Sequence, residues 1–289
     1  MSQSSRERLK SHVWQFRVKS ARVVRAWHGT YSAHNLEEAL RSRLGGDFEI
    51  LMVHCSLNNM YPTYRGDAGQ LLQMLGRIVG PNKTLAMPTF FFGTPDQYNT
   101  AYYRHHPLFD ARQTPSQMGL LTELFRRRPG VERSLHPTHS VCARGPLALE
   151  LTRSHHLSSA TFGSLSPFGV MARHNTTIIG IGAEYYRSLT QVHAVEDHMG
   201  ALFPIPREPE EPIPVTLIDV NRNEIYYHME PPLCRKYVIK IERLAQFMEK
   251  QAIREWKYKG TPFYAVSAAD INHALERAAF AGHTLYVPQ

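Results

Sequence analysis

Cysteines are scarce in this chain, with three among 289 residues, at positions 55, 142 and 234. An odd number of unclustered cysteines argues against a disulfide framework or a zinc ribbon and is typical of a reducing compartment. Long apolar runs are absent as well, since no stretch approaches the roughly 20 residues of a membrane helix. The amino-terminal region also lacks the apolar core of a secretion signal, so the sequence predicts a cytoplasmic protein.

Positive charge is concentrated at the amino-terminal end. The formal net charge is +8, and residues 1–27 hold seven Lys or Arg side chains against a single acid, Glu7. The rest of the chain therefore carries 26 basic and 24 acidic side chains, which is close to balance. Nucleic-acid binding usually needs a basic stripe on a folded face, and no such stripe is marked here, so nucleic acid is excluded as a partner.

The charge distribution predicts two parts, a basic amino-terminal extension over residues 1–30 and one larger domain over residues 31–289. In the extension, basic residues alternate with apolar and aromatic ones, including Trp14 and Trp27. One interpretation is peripheral contact with an anionic membrane. The favoured alternative is a helix that packs on the domain with a solvated basic side.

The domain begins with a β-α-β pattern. Residues 48–54 are an apolar run bounded by glycine and predict a buried strand, 68–79 a helix and 84–87 the next strand. The fold class predicted is α/β, a central mixed sheet flanked by helices. Residues 90–116 lack clear periodicity and are rich in proline and aromatics, which predicts a small loop and strand subdomain walling a cleft.

The later segments continue this alternation less regularly. Strands are predicted at 138–143, 176–182 and 215–220, the last followed by a hairpin turn at 221–223. Helices are predicted at 119–128, 148–157, 189–199 and 267–281, and mainly helical structure at 235–251 and 252–257. The proline- and acid-rich residues 203–214 predict a loop or hinge.

Two stretches carry the residue types of acid–base chemistry. Residues 133–140 contain His136 among several hydroxyl side chains, and residues 190–196 place His193 and Glu196 three positions apart. That spacing puts both side chains on one face of a helix. A histidine held by a carboxylate, with hydroxyl donors nearby, is typical of a general base.

Five motifs stand in a common order along the chain: Val53-His54-Cys55-Ser56; residues 84–90; residues 118–126 running into 133–140; Gly163-Ser164-Leu165-Ser166-Pro167; and residues 190–196. In this order the chain resembles the aminoglycoside 3-N-acetyltransferase-like family, antibiotic N-acetyltransferases that use acetyl-CoA. The resemblance runs from about residue 47 to at least 202. The chain departs from the family at Cys55, which is usually Ser, and at Asp67 and Lys83, which are usually Gly.

The resemblance implies acetyl-CoA as co-substrate and an amino sugar as acceptor, and it supports roles for particular residues. We predict that His136 is the general base, that Glu196 orients it, and that His193 lines the acceptor pocket or assists proton transfer. The predicted cofactor-binding residues are His54, Cys55, Ser56, Thr89 and Ser140. The predicted acceptor-binding residues are Thr138, Thr190, Arg104 and Tyr102. His139 is assigned a structural role, because its spacing can point it away from His136.

Metal chemistry is not expected, although the chain has 16 histidines. It has no His-Glu-x-x-His pair, and the two histidines of residues 133–140 have no matched acid nearby. Cys55 and Cys142 raise an acyl-enzyme alternative, but neither has a mark of activation, so direct transfer is favoured.

The acceptor is predicted from charge. Arginines in and around the segments expected to wall the cleft suit an anionic amino sugar, nucleotide- or lipid-linked, of polysaccharide biosynthesis. One alternative is an aminoglycoside 3-N-acetyltransferase of antibiotic resistance. Others are N-acyl or formyl transfer from another donor, and a non-catalytic module that docks a membrane or partner through residues 1–30. The sequence leaves the oligomeric state open, with a homodimer as one arrangement.

Overall fold

The computed structural model describes residues 20–97, 99–207, 210–231 and 236–289. Residues 20–28 are helical, with Ala21 buried and Trp27 83% exposed. Residues 1–19, most of the predicted basic extension, lie outside the described residues, so membrane or partner docking through them stays a prediction. None of the described helices is both long enough and apolar enough to cross a membrane.

The strands of the described residues fall into three sheets. Numbered along the chain, they are β1 Ile50–Cys55, β2 Thr84–Pro88, β3 Leu108–Asp110, β4 Glu132–Arg133, β5 Val141–Arg144, β6 Thr176–Ile181, β7 Ile213–Ile218, β8 Glu224–Met229, β9 Tyr237–Ile239, β10 Arg254–Tyr258, β11 Thr261–Ser267 and β12 Tyr286–Pro288. The central sheet has seven strands in the order β10-β11-β6-β1-β2-β5-β4. β6, β1 and β2 are parallel and their outer neighbours antiparallel, which confirms the predicted mixed α/β sheet.

Helices cover both faces of the central sheet. Besides the helical residues 20–28, the α-helices of the described residues are Ala33–Leu44, Leu57–Met60, Ala68–Val79, Thr100–His105, Leu120–Arg126, Ala148–Thr152, Pro167–Arg173, Tyr185–Ser188, Ala194–Met199, Leu244–Phe247 and Ala268–Phe280. Alternate residues of β1 separate the two cores: Met52 packs with the helix Ala268–Phe280, and Val53 with the helix Ala68–Val79. Each such fully buried side chain contributes about 1.5–3 kcal/mol of burial free energy.

The helix Ala68–Val79 shows how local sequence sets an element. Asp67 accepts a hydrogen bond from the Gln70 backbone, the Gln70 side chain accepts one from the Asp67 backbone, and Gly80 ends the helix at a φ of +67°. This capping box and the glycine stop satisfy backbone groups that the helix ends leave unpaired. Its apolar stripe, including Leu71 and Leu75, is buried against the sheet.

A second, three-stranded sheet, in the order β3-β7-β8, forms the predicted subdomain with the helix Thr100–His105. The hairpin turn predicted at 221–223 joins β7 to β8, and Asp219 holds it through the backbones of Asn221 and Asn223. Tyr103, which is fully buried here, donates a hydrogen bond to the Pro137 carbonyl over 2.7 Å. That bond ties the subdomain to the loop that carries His136.

The expectation of mainly helical structure at 235–251 and 252–257 was wrong over much of these segments. Residues 237–239 form β9, paired with β12, and residues 254–258 form β10, at the edge of the central sheet. β11, which the sequence did not predict, joins β10 to β6. Strand pairing across distant parts of the chain decided these segments, because local propensity is too weak to outweigh it.

Candidate active site

A cavity of about 220 Å³ lies between the end of β2, the loop before β5, the segment 190–199 and the subdomain. Its lining residues are Phe92, Asn99, Thr138, His139, Thr161, Phe162, His193, Glu196, Asp197, Arg207, Met229, Glu230, Pro231 and Tyr286. Four of them, Thr138, His139, His193 and Glu196, come from the two stretches that the sequence singled out. The fold therefore brings 133–140 and 190–196 together.

His193 and Glu196 form a hydrogen-bonded pair in this cavity. The Nδ1 atom of His193 lies 2.8 Å from Oε1 of Glu196, and 24% of the His193 side chain is exposed against 6% for Glu196. A 3-10 helix over Thr190–His193 passes directly into the α-helix Ala194–Met199, which brings positions 193 and 196 onto one face. With Nδ1–H donating to the carboxylate, Nε2 is the ring nitrogen left to accept a proton.

Tyr286, in the last strand, contacts both members of the pair. Its hydroxyl donates to Oε1 of Glu196 over 2.6 Å and lies 3.4 Å from Nδ1 of His193. Burial and the neighbouring carboxylate raise the pKa of this phenol far above its ordinary value. The tyrosine therefore stays protonated and serves as a donor that holds Glu196 in place.

The electrostatics of the pair favour a basic histidine. Burial lowers the pKa of His193, but the charge of Glu196 and its hydrogen bond outweigh burial, so the pKa of His193 is raised above 6.5. His139 has no such partner, and burial, together with His193 and His155, lowers its pKa well below 6.5. His193 is therefore suited to take up a proton, whereas His139 stays neutral.

His139, to which the sequence assigned a structural role, lies at the cavity. Its ring lines the cavity, with Nδ1 2.8 Å from the Thr138 hydroxyl. Phe162 separates it from His193: the ring centroids lie 4.9 Å and 5.0 Å from those of His139 and His193. Thr138, a predicted acceptor-binding residue, also lines the cavity, although its hydroxyl is engaged by His139.

The geometry corrects the predicted pairing of His136 with Glu196. His136 has no exposed surface, and its Nδ1 accepts hydrogen bonds from the backbones of Thr138 and His139 at 3.3 Å and 3.0 Å. Its ring stacks on His155 at 4.5 Å, and burial, with His155 and His139, lowers its pKa well below 6.5. In this structure His136 shapes the loop, and Glu196 is bonded to His193 instead.

Two residues predicted to bind cofactor are also interior. Thr89 and Ser140 are completely buried, and the Ser140 hydroxyl donates to the Thr89 carbonyl over 2.9 Å. Arg133 contacts the same pair, through the Ser140 hydroxyl and the Thr89 carbonyl. These groups satisfy one another inside the fold, so the prediction that they contact a co-substrate does not match the structure.

The predicted residues at the end of β1 are likewise not part of the cavity lining. Cys55 packs with the core on the opposite face of the sheet from the segment 190–199, and burial raises the pKa of its thiol to about 12. Burial lowers the pKa of His54 to about 4. The Ser56 backbone is tied to the Ile181 carbonyl over 2.9 Å. A protonated thiol at position 55 is a poor nucleophile, which favours direct transfer.

The remaining predicted acceptor contacts do not line the cavity either. The Thr190 hydroxyl lies 3.4 Å from the Ser188 carbonyl, and Arg104 pairs with Glu210 at 3.7 Å. Tyr102 packs against His106, with ring centroids 4.6 Å apart. Thr190 belongs to a motif, and Tyr102 and Arg104 to the segment 90–116 expected to wall the cleft, but the fold directs their side chains to neighbours.

The sequence missed most of the cavity's carboxylates. Asp197 and Glu230 line the cavity beside Glu196, and Arg207 forms ion pairs with both Asp197 and Glu230. The backbone N–H of Phe162 also donates to Asp197 over 2.6 Å. Asp197 directly follows Glu196 in sequence, which was an available signal. Glu230 and Tyr286 come from distant segments and carry no local mark.

The expectation that arginines would make the cleft suited to an anionic acceptor was therefore wrong. Three carboxylates and one guanidinium line the cavity, so its lining is acidic. Four of the arginines that suggested the opposite are paired with carboxylates outside the cavity: Arg126 and Arg127 with Glu123, Arg187 with Glu184, and Arg104 with Glu210. An acidic cavity favours cationic ligands.

A second cavity of about 350 Å³ adjoins the first, because Phe162 lines both. It is bounded by the loop of Gly163 and Ser164 and by Ala194, the neighbour of His193. Gly169 approaches this loop so closely that an added Cβ would lie 2.5 Å from the Gly163 carbonyl. Over the described residues, no group of three or more His, Cys, Asp or Glu side chains is arranged to hold a metal ion.

Comparison with known proteins identifies the family. Residues 52–278 match the family model described as aminoglycoside 3-N-acetyltransferase. Aminoglycoside N(3)-acetyltransferase III of Serratia marcescens is 31% identical over 169 residues, which are 55% of this chain and 60% of that protein. This chain thus spans about three fifths of the length of that curated relative.

Solved structures share the fold. The structure of AAC-VIa bound to sisomicin superposes with a TM-score of 0.68 at 22% identity, covering 88% of this chain and 99% of that one. The binary structure of AAC-IIIb with CoASH gives a TM-score of 0.65 at 21% identity, covering 85% and 94%. Since the family match covers well over half of the sequence, this chain belongs to the aminoglycoside 3-N-acetyltransferase family.

Proposed function

We propose that this protein transfers an acetyl group from acetyl-CoA to an amine of a polycationic amino sugar, as an aminoglycoside N-acetyltransferase. The observation that carries the proposal is the His193–Glu196 pair, 2.8 Å apart in an acidic cavity. Family membership supports the reaction type. The carboxylates support a cationic acceptor over the anionic one expected from sequence, because they offset the desolvation of ammonium groups.

His193 is the proposed general base. Its Nε2 takes the proton that the acceptor amine loses as the amine nitrogen attacks the thioester carbonyl. The C–S bond then breaks as the amide forms, and the CoA sulfur leaves as a thiol after taking the proton back from the His193 imidazolium. Glu196 holds the Nδ1–H tautomer and stabilises the imidazolium that results, as the carboxylate of a histidine–carboxylate pair does. Tyr286 fixes the carboxylate from its other side.

The acetyl-CoA arm is proposed to lie in the 350 Å³ cavity next to His193. That cavity and the acidic one share Phe162, whose ring stacks on His193, so a thioester in one and an amine in the other would meet beside this ring. Arg173 lines the cavity of the thioester and is held by the carbonyls of Ser164 and Gly169 at 2.9 Å and 3.0 Å. Its guanidinium offers a cation for a CoA phosphate.

The acceptor is tested by thiol release from acetyl-CoA on mixing with amines of opposite charge. We expect sisomicin, as a polycationic probe, to be acetylated with a kcat/KM at least about tenfold above that of a nucleotide-linked amino sugar. Glu230→Gln should raise the KM for sisomicin while changing kcat little, because it removes a carboxylate remote from the proton transfer. Rapid acetylation of the nucleotide sugar, with sisomicin inert, would overturn the proposed acceptor.

The pH dependence tests the base. His193 works only when neutral, so kcat/KM should rise with pH through a pKa above 6.5, the direction set by Glu196. In Glu196→Gln the counter-charge is gone and burial alone acts, so the acid limb should move to lower pH while the plateau rate falls. The pH profiles of kcat/KM are compared for the unmodified chain and the variant with the same acceptor, so the titration of the acceptor amine affects both equally. An acid limb that stays in place, or moves up, contradicts the pairing.

A further inference from the structure

A cavity of about 680 Å³, roughly three times the volume of the one at His193, lies at the other end of the central sheet. Lys83 precedes β2 and Arg144 ends the antiparallel β5, whose register pairs Leu85 with Arg144. Phe90 and the His193 cavity are at the opposite end of β2. Seven residues of extended chain between Lys83 and Phe90 span roughly 23 Å. The cavity is therefore separate from the candidate active site.

One wall of this cavity is the helix Ala68–Val79, and its floor is apolar. Leu72, Val79, Leu85 and Phe125 supply the floor. On the helix, Gly76 faces the open space, since an added Cβ would meet no atom within 4 Å. Glycine in a helix interior destabilises the helix. At position 76 the absence of a side chain keeps the cavity open, although it makes the helix less stable.

The rim of the cavity is cationic. Arg77, Lys83, Arg128 and Arg144 line it, and its lining residues include no carboxylate. Arg77 pairs with Glu37 at 2.8 Å, while Lys83 donates to the Gly46 carbonyl and its ammonium lies 4.4 Å from the centre of the Phe48 ring. The side chains of Arg128 and Arg144 are exposed and have neither a hydrogen bond nor an ion pair with any residue that the structure describes.

We propose that this cavity binds a nucleoside phosphate, with its phosphates on Arg128, Arg144 and Lys83 and its base against the apolar floor. Guanidinium groups present paired N–H donors that match phosphate oxygens and also stack on flat rings. The volume falls in the range of small-molecule sites. This inference does not depend on the acetyl-transfer function, because the two cavities are at opposite ends of the sheet.

Calorimetric titration of the full chain with ADP tests the site. We expect binding at one site per chain, weaker binding of pyrophosphate and still weaker binding of adenosine, because phosphate and base each supply part of the contact. Arg128→Gln with Arg144→Gln should weaken ADP binding by at least about tenfold. Gly76→Leu should do the same without changing charge, since its side chain enters the cavity and leucine favours the helix.

The matched control is Arg65→Gln with Arg153→Gln, which removes two exposed charges elsewhere and should leave ADP binding unchanged. ADP that does not bind below about 1 mM, or binds the double variant at positions 128 and 144 as tightly as the unmodified chain, overturns the proposal. So does displacement of ADP by acetyl-CoA with a raised KM for acetyl-CoA in that variant, which would make the cavity part of the co-substrate site.

Discussion

Replacing His193 with alanine should lower kcat by about 10²–10⁴-fold, the range that general base catalysis supplies. The proton acceptor is lost, whereas the carboxylates Glu196, Asp197 and Glu230 that line the acceptor cavity remain. The KM for a polycationic acceptor should therefore change much less than kcat. Steady-state thiol release from acetyl-CoA, at saturating acceptor, measures both constants.

His136→Ala is the informative comparison, because sequence alone favoured that residue as the base. His136 is fully buried and supports the backbone of Thr138 and His139, so its loss should reduce stability and positioning while the acid limb of the pH profile stays. The opposite pattern, with the acid limb lost in His136→Ala and near-native turnover in His193→Ala, would return the role of base to His136.

The second large effect should come from Arg133→Ala, with a loss of about 3–5 kcal/mol in the free energy of unfolding. The guanidinium is buried and donates to the carbonyls of Ala111, Thr114 and Thr89 at 3.1, 2.5 and 2.9 Å. It also donates to the Ser140 hydroxyl at 3.1 Å. Its removal takes the donor from the carbonyls of Ala111 and Thr114 in the interior, where water cannot replace it, whereas the Thr89 carbonyl keeps its bond from the Ser140 hydroxyl.

The measurement is urea unfolding of the variant and of Arg127→Ala. Arg127 is an exposed arginine whose ion pair with Glu123 is 2.6 Å long, so its loss should cost less than about 1 kcal/mol. The free energy of unfolding of Arg133→Lys should be close to that of Arg133→Ala, because a single ammonium group cannot reach carbonyls in three directions. Unfolding midpoints that coincide for positions 127 and 133 would show that the buried bonds contribute little.

Elements with strong local signals were predictable from the chain alone. The helix Ala68–Val79 has the bounds that its apolar stripe and Gly80 indicate, because a complete set of helix signals stands within about fifteen residues. β1 and β6 were close to their predicted bounds, since each is a short apolar run buried on both sides. The predictions for β9 and β10 were wrong because both are edge strands, and the pairing of an edge strand depends on a partner elsewhere in the chain.

For the candidate site, the fold brings together the two stretches that the sequence singled out, but it pairs Glu196 with His193 and not with His136. The spacing of His193 and Glu196 already placed them on one helical face, and that contact is local. Pairing His136 with Glu196 required a distance across the fold that no local pattern contains. The folded chain buries His136 beneath the cavity and brings Thr138 and His139 to its surface.

The amino-acid sequence thus settled the α/β class and the local His193–Glu196 contact, because helix and strand periodicity act over a few residues. Tertiary structure alone decided the charge of the cleft and the support of Glu196. Glu230 and Tyr286 reach the cavity from β8 and β12, up to 90 residues from Glu196 along the chain. Such contacts arise when buried surfaces of distant segments pack together, so their electrostatic effect appears only in the folded chain.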